Sequence, residues 1–156
     1  MTEETEQQRT NRQLEQILQE ARVMISGVQV LFAFLLVLAF QQRFAHTTDF
    51  QRGLFLTALL TTTGAVICLI APTAWHRILF QRRDKRHIVK VANWLLIAGL
   101  ILLALAMTLS LMLVCDFAFS GFAAAVVPLF VVPAFAWLWF AAPLIRRSRG
   151  WADEEV

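Results

Sequence analysis

Residues 14–44 read LEQILQEARVMISGVQVLFAFLLVLAFQQRF, and this stretch decides the class of the protein. Between Arg22 and Arg43 lie twenty residues whose only clearly polar side chains are Ser26, Gln29, Gln41 and Gln42. At about 1.5 Å per residue the run spans roughly 30 Å, the thickness of a bilayer's hydrocarbon core. A transmembrane helix is expected over 23–42, entered from water through Leu14 to Arg22.

Two stripes run along this helix. Leu14, Leu18, Ala21, Ile25, Val28, Phe32, Leu35 and Ala39 follow one another by four, three, four, three, a heptad seam that continues from water into lipid. One residue further round, Glu15, Gln19, Arg22, Ser26, Gln29 and Ala33 form a polar or small stripe. A polar side chain in hydrocarbon favours a protein partner, so this second stripe is expected to face other helices. Gln29, about 5 Å from the estimated midplane, is its deepest member.

Outward from this helix the chain stays apolar. It is 58% hydrophobic and only 16% charged over 156 residues, too apolar for a soluble domain of this size. Three further spans are expected, at 53–71, 91–114 and 122–145, giving an all-α bundle of four transmembrane helices with a cytosolic extension of the first. The capping-box pattern Thr48-Asp49-Phe50-Gln51 starts the second helix after a very short link, so the first two form a tight antiparallel hairpin. Pro72 is expected to end or kink the second helix, and Pro128 and Pro133 to bend the fourth. Small residues mark packing seams, Gly53, Thr57, Thr61, Gly64, Cys68 and Ala71 on helix 2 and Ala92, Gly99, Ala106 and Ser110 on helix 3. Residues 1–13 read as a mobile polar tail, 73–90 as a basic cytoplasmic loop and 146–156 as a second tail, around one membrane domain, 14–145.

Charge sets the orientation. With both termini inside, twelve of the fourteen basic residues are cytoplasmic and only Arg43 and Arg52 lie outside, a strong positive-inside bias. The first apolar run is too long for a signal-peptide core, so helix 1 is expected to be retained as an anchor. Twelve arginines against two lysines fit a GC-rich bacterial gene, and the expected location is the bacterial plasma (cytoplasmic) membrane. Cys68 and Cys115 then fall on opposite sides of the bilayer, beyond the roughly 7 Å Cα separation a disulfide allows.

Few residues offer chemistry. Ser26, Gln29, Thr57 and Thr61, with Thr108 beside them, are the intramembrane polar set; they line a water or ion path if the stripes face each other, and otherwise make interhelical hydrogen bonds. Arg77, Arg82, Arg83, Lys85, Arg86 and Lys90 supply topogenic charge and a contact for anionic lipid headgroups. No nucleic acid partner is expected, because no recognition fold or aromatic platform accompanies the basic cluster. All eleven acids lie in tails, loops or helix ends, so a proton-coupled carrier lacks the titratable group it needs at depth. Asp116, at the outer end of helix 3, reads as a solvated or capping acid, or a point of entry for a cation. His46, His76 and His87 share no ligand spacing, and no nucleophilic triad, phosphate loop or carboxylate pair occurs. Neither an enzyme nor a metal or cofactor is expected.

Specific pieces of sequence also resemble a known group. Glu20-Ala21-Arg22, the run Gly27-Val28-Gln29-Val30-Leu31-Phe32-Ala33-Phe34, Phe40-Gln41-Gln42-Arg43-Phe44, Asp49-Phe50-Gln51-Arg52, Ala71-Pro72, His76-Arg77 and Val91-Ala92-Asn93 resemble an uncharacterised family of small actinobacterial four-helix membrane proteins. The likeness covers roughly residues 14–100. Some members of that family are labelled sodium/proton antiporters, but the resemblance transfers no site residue. Two functional expectations follow: a non-enzymatic homo-oligomer with a structural or regulatory role, or cation or proton transport through a path between protomers.

Overall fold

The computed structural model describes residues 6–78, 85–119 and 121–146. Its elements are α1 (Glu6–Ala39), a short 3-10 turn (Gln42–His46), α2 (Asp49–Ile78), α3 (Lys85–Ala118) and α4 (Gly121–Phe135), the last continuing through a π-helical turn, Ala136–Ala141, to residue 146. Four segments, Glu15–Ala39, Asp49–Trp75, Val89–Ala118 and Ala125–Arg146, are long and apolar enough to cross a membrane. The protein is an all-α, four-helix membrane protein.

The helices reach beyond the apolar runs. α1 starts at Glu6, so residues 6–13 are helical rather than a loose tail, in keeping with the helix-forming Glu, Gln and Arg that fill them. At its other end α1 stops at Ala39, three residues short of the expected end of the span at Gln42. Its last turn tightens into i−3 bonds, Phe40 N–H to Val37 O at 3.1 Å and Gln41 N–H to Leu38 O at 3.2 Å. The chain then folds over so that Phe44 meets Phe55 edge-on, ring centroids 4.9 Å apart. That aromatic pair, worth about 0.5–1.5 kcal/mol beyond its buried area, helps to hold the turn.

α2 passes through Pro72 and continues to Ile78. Proline removes a single rung of the ladder, and Pro72 is among the most deeply buried side chains, so packing holds the helix on either side. Of the stretch expected as one basic loop, 73–78 belongs to α2 and 85–90 to α3.

Packing follows the expected small residues on α3 but not on α2, where Gly53 and Thr57 of the expected seam are exposed and Ala58, Thr62 and Ala65 are buried instead. In lipid, helices gain little from excluding apolar surface and associate by close van der Waals fit. Ala21, Val28 and Leu35, spaced by seven, are the fully buried positions of α1, and the rest of its heptad seam from Leu18 to Ala39 is half-buried. Toward the N-terminal end of the α1 span, Ala21 and Val28 pack with Ala65 and Leu69 of α2 and Leu96 of α3. Toward the C-terminal end of the α1 span, Leu35 packs with Leu54, Phe55 and Ala58 of α2 and Leu113 of α3. On α3 the predicted seam is used, with Ala92, Gly99 and Ala106 buried and Ser110 half-buried.

α2 and α3 form the most extensive pair, α1 lies mainly on α2, and α4 packs on α3. No residue of the α4 span 125–146 is buried. The arrangement is therefore a three-helix core with α4 laid along one side.

Candidate functional site

α1 turns its two stripes in opposite directions. While the heptad seam is consumed by α2 and α3, Glu15, Gln19, Arg22, Ser26, Gln29 and Ala33 are all exposed. Among the described residues no other helix covers the polar stripe. Ser26 spends its hydroxyl on the Arg22 carbonyl of its own helix, at 3.2 Å. Gln29 makes no hydrogen bond with any described residue, so its amide points out of the chain at membrane depth with nothing to bind.

The α2 hydroxyls are likewise local. Thr57 donates to Gly53 O at 2.8 Å, and Thr61 donates to Thr57 O at 2.8 Å and Ala58 O at 3.0 Å. Thr57 is exposed and Thr61 half-buried. The α1 and α2 polar sets are not joined by any hydrogen bond among the described residues. Thr108 is buried and donates to Ala104 O at 2.8 Å. Thr62, which periodicity does not separate from its neighbours, is the wholly buried threonine of α2 and donates to Ala58 O at 2.7 Å. Every one of these hydroxyls is satisfied within its own helix.

Polar side chains link helices at the rim where α1 turns into α2 and α3 ends. The predicted capping box forms: Thr48 N–H donates to Gln51 Oε1 at 3.1 Å and Gln51 N–H donates to Thr48 Oγ1 at 3.2 Å. The same Gln51 amide donates from Nε2 to Asp116 Oδ2 at 2.8 Å, tying the start of α2 to the end of α3. Asp116 is thus half-buried and partnered rather than a free rim charge. Beside it Arg52 donates from Nε to Thr47 Oγ1 at 3.2 Å, and Thr47 donates on to Phe44 O at 2.8 Å. Arg43 lies over the Phe117 ring, 6.0 Å from its centroid.

Of the basic set, Arg77 and Lys90 are exposed. Lys85 and Arg86 lie on the first turn of α3, and Arg82 and Arg83 fall outside the described residues. Cys68 and Cys115 are free thiols, both half-buried.

A family model described as a family of unknown function, DUF6328, matches residues 3–143. The chain belongs to that family. No curated protein and no solved structure matches the chain. Family membership extends the likeness seen over 14–100 through α4 and adds no assigned site, so the site rests on geometry: an exposed polar face on α1 and a hydrogen-bonded rim.

Proposed function

We propose that the protein is a non-enzymatic structural or regulatory membrane protein that works as a homo-oligomer, with the polar face of α1 as the contact between copies. The observation that carries this reading is the exposure of Gln29 at membrane depth without a partner. A primary amide with no hydrogen bond in hydrocarbon costs several kcal/mol, and a second copy of the same stripe supplies both a donor and an acceptor. Ser26 and Ala33, small and one turn away on either side, let the backbones approach. The stripe also continues into the water-facing part of α1 through Glu15, Gln19 and Arg22, all exposed.

In this reading both termini are cytoplasmic in a bacterial plasma membrane, the orientation that puts twelve basic residues inside and two outside and so fits the positive-inside bias. Arg77, Arg82, Arg83, Lys85, Arg86 and Lys90 then rest against anionic headgroups of the inner leaflet. Cation or proton transport, the alternative, would have to run between copies, because Ser26, Gln29 and Thr57 all lie on the outside of a single chain.

Native mass spectrometry of the full chain in mild detergent tests the proposal. An oligomer that Gln29→Leu dissociates is the expected result. A strictly monomeric wild-type protein would overturn it.

A further inference from the structure

At the outer rim, where α1 breaks and α3 ends, an open cleft of about 360 Å³ is bounded by Leu38, Leu113, Val114 and Phe117, with Gln41 and Arg43 at its mouth. Its volume falls in the range of sites that hold small ligands, roughly 300–1,000 Å³. We infer that this cleft binds one anionic phospholipid of the leaflet opposite the basic segment, an acyl chain lying along Leu38, Leu113 and Val114 and the phosphate held by Arg43.

Three observations fit that occupant. The walls are almost wholly apolar and belong to two membrane-spanning helices, so the cleft faces hydrocarbon and accepts a chain rather than a soluble solute. Arg43 stands four residues past Ala39, the last residue of α1, which puts its guanidinium at headgroup depth, where lipid phosphates lie. No carboxylate is among the described residues that line the cleft, and the adjacent Asp116 accepts a hydrogen bond from Gln51. Arg43, which forms no ion pair with a described residue, therefore presents its positive charge above an apolar slot.

The local build holds that charge in place. The break after Ala39 and the 3-10 turn from Gln42 carry Arg43 off the α1 axis toward α3, and the Phe117 ring beneath the guanidinium fixes it there through a cation–π contact. A guanidinium so oriented keeps its hydrogen-bonding edge free for a phosphate, to which it offers two parallel donors. This lipid site is separate from the contact of Arg77 to Lys90 with headgroups at the other face.

The experiment is native mass spectrometry of the full chain titrated with phosphatidylglycerol or with phosphatidylcholine of the same acyl chains. One phosphatidylglycerol should survive activation that strips the rest, with phosphatidylcholine held less well. Arg43→Gln should weaken that lipid roughly tenfold, the loss of one charge-assisted contact. Val114→Trp, which fills the slot and leaves the charge, should remove it as well, while Arg77→Gln with Lys90→Gln should leave it in place. Equal retention of the two lipids, retention unchanged in Arg43→Gln, or a loss confined to the Arg77/Lys90 variant would overturn the inference.

Discussion

Leu69 occupies the space into which a side chain at Gly99 would have to grow: a Cβ built on Gly99 would sit 2.7 Å from Leu69 Cδ2 and 2.8 Å from its Cγ. Since Cγ is not a mobile chain end, the α2–α3 contact depends on the missing methyl. Gly99→Ala gains about 1 kcal/mol of helix propensity but overpacks a close crossing, at a cost of about 1–3 kcal/mol. A net destabilisation of about 1 kcal/mol is expected in reversible detergent unfolding. Gly53, with nothing within 4 Å of its built Cβ, is the counterpart: Gly53→Ala should stabilise, by up to about 1 kcal/mol.

Gln51 uses its carbonyl for the α2 cap and its amide nitrogen for Asp116. Gln51→Ala removes both and should cost about 1–3 kcal/mol. A double-mutant cycle with Asp116→Ala should return a coupling of about 1 kcal/mol, read from unfolding midpoints. A coupling of zero would mean that the bond does not hold α2 to α3.

Thr62 is wholly buried, yet its hydroxyl is spent on Ala58 O. Valine keeps the shape and loses a bond that competes with the helix's own ladder. Thr62→Val should therefore change stability by no more than about 0.5 kcal/mol. The same holds for Thr61→Val, whose hydroxyl also stays on its own helix. A loss several times larger would reveal a hydrogen bond between helices.

The parts legible in the sequence are those set by local chemistry. Four apolar runs give four helices, the pair Thr48 and Gln51 gives a formed capping box, and Ala92, Gly99 and Ala106 mark the buried face of α3. What periodicity does not give is the identity of the neighbour. In water a helix's buried stripe contrasts with a polar one, but a lipid-facing surface is as apolar as a core. Val23, Val30 and Phe34 of α1 are therefore indistinguishable by residue type from Val28 and Leu35, although the former are exposed and the latter buried. For the same reason the side position of α4, apolar all round, was not readable, nor was the passage of α2 through Pro72, which depends on tertiary packing. Gln51 and Asp116 lie 65 residues apart, and only the antiparallel return of α3 brings them together.

The central claim, that copies of the chain meet through the polar face of α1, is tested most directly by cysteine cross-linking along that helix in native membranes, in a background with Cys68 and Cys115 replaced by Ser. Single cysteines at Gln19, Arg22, Ser26, Gln29 and Ala33 should give disulfide-linked dimers, with minima at Ala21, Val28 and Leu35, which are buried against α2 and α3. No cross-linking at any of these positions, or maxima at Val23, Val30 and Phe34 instead, would contradict it.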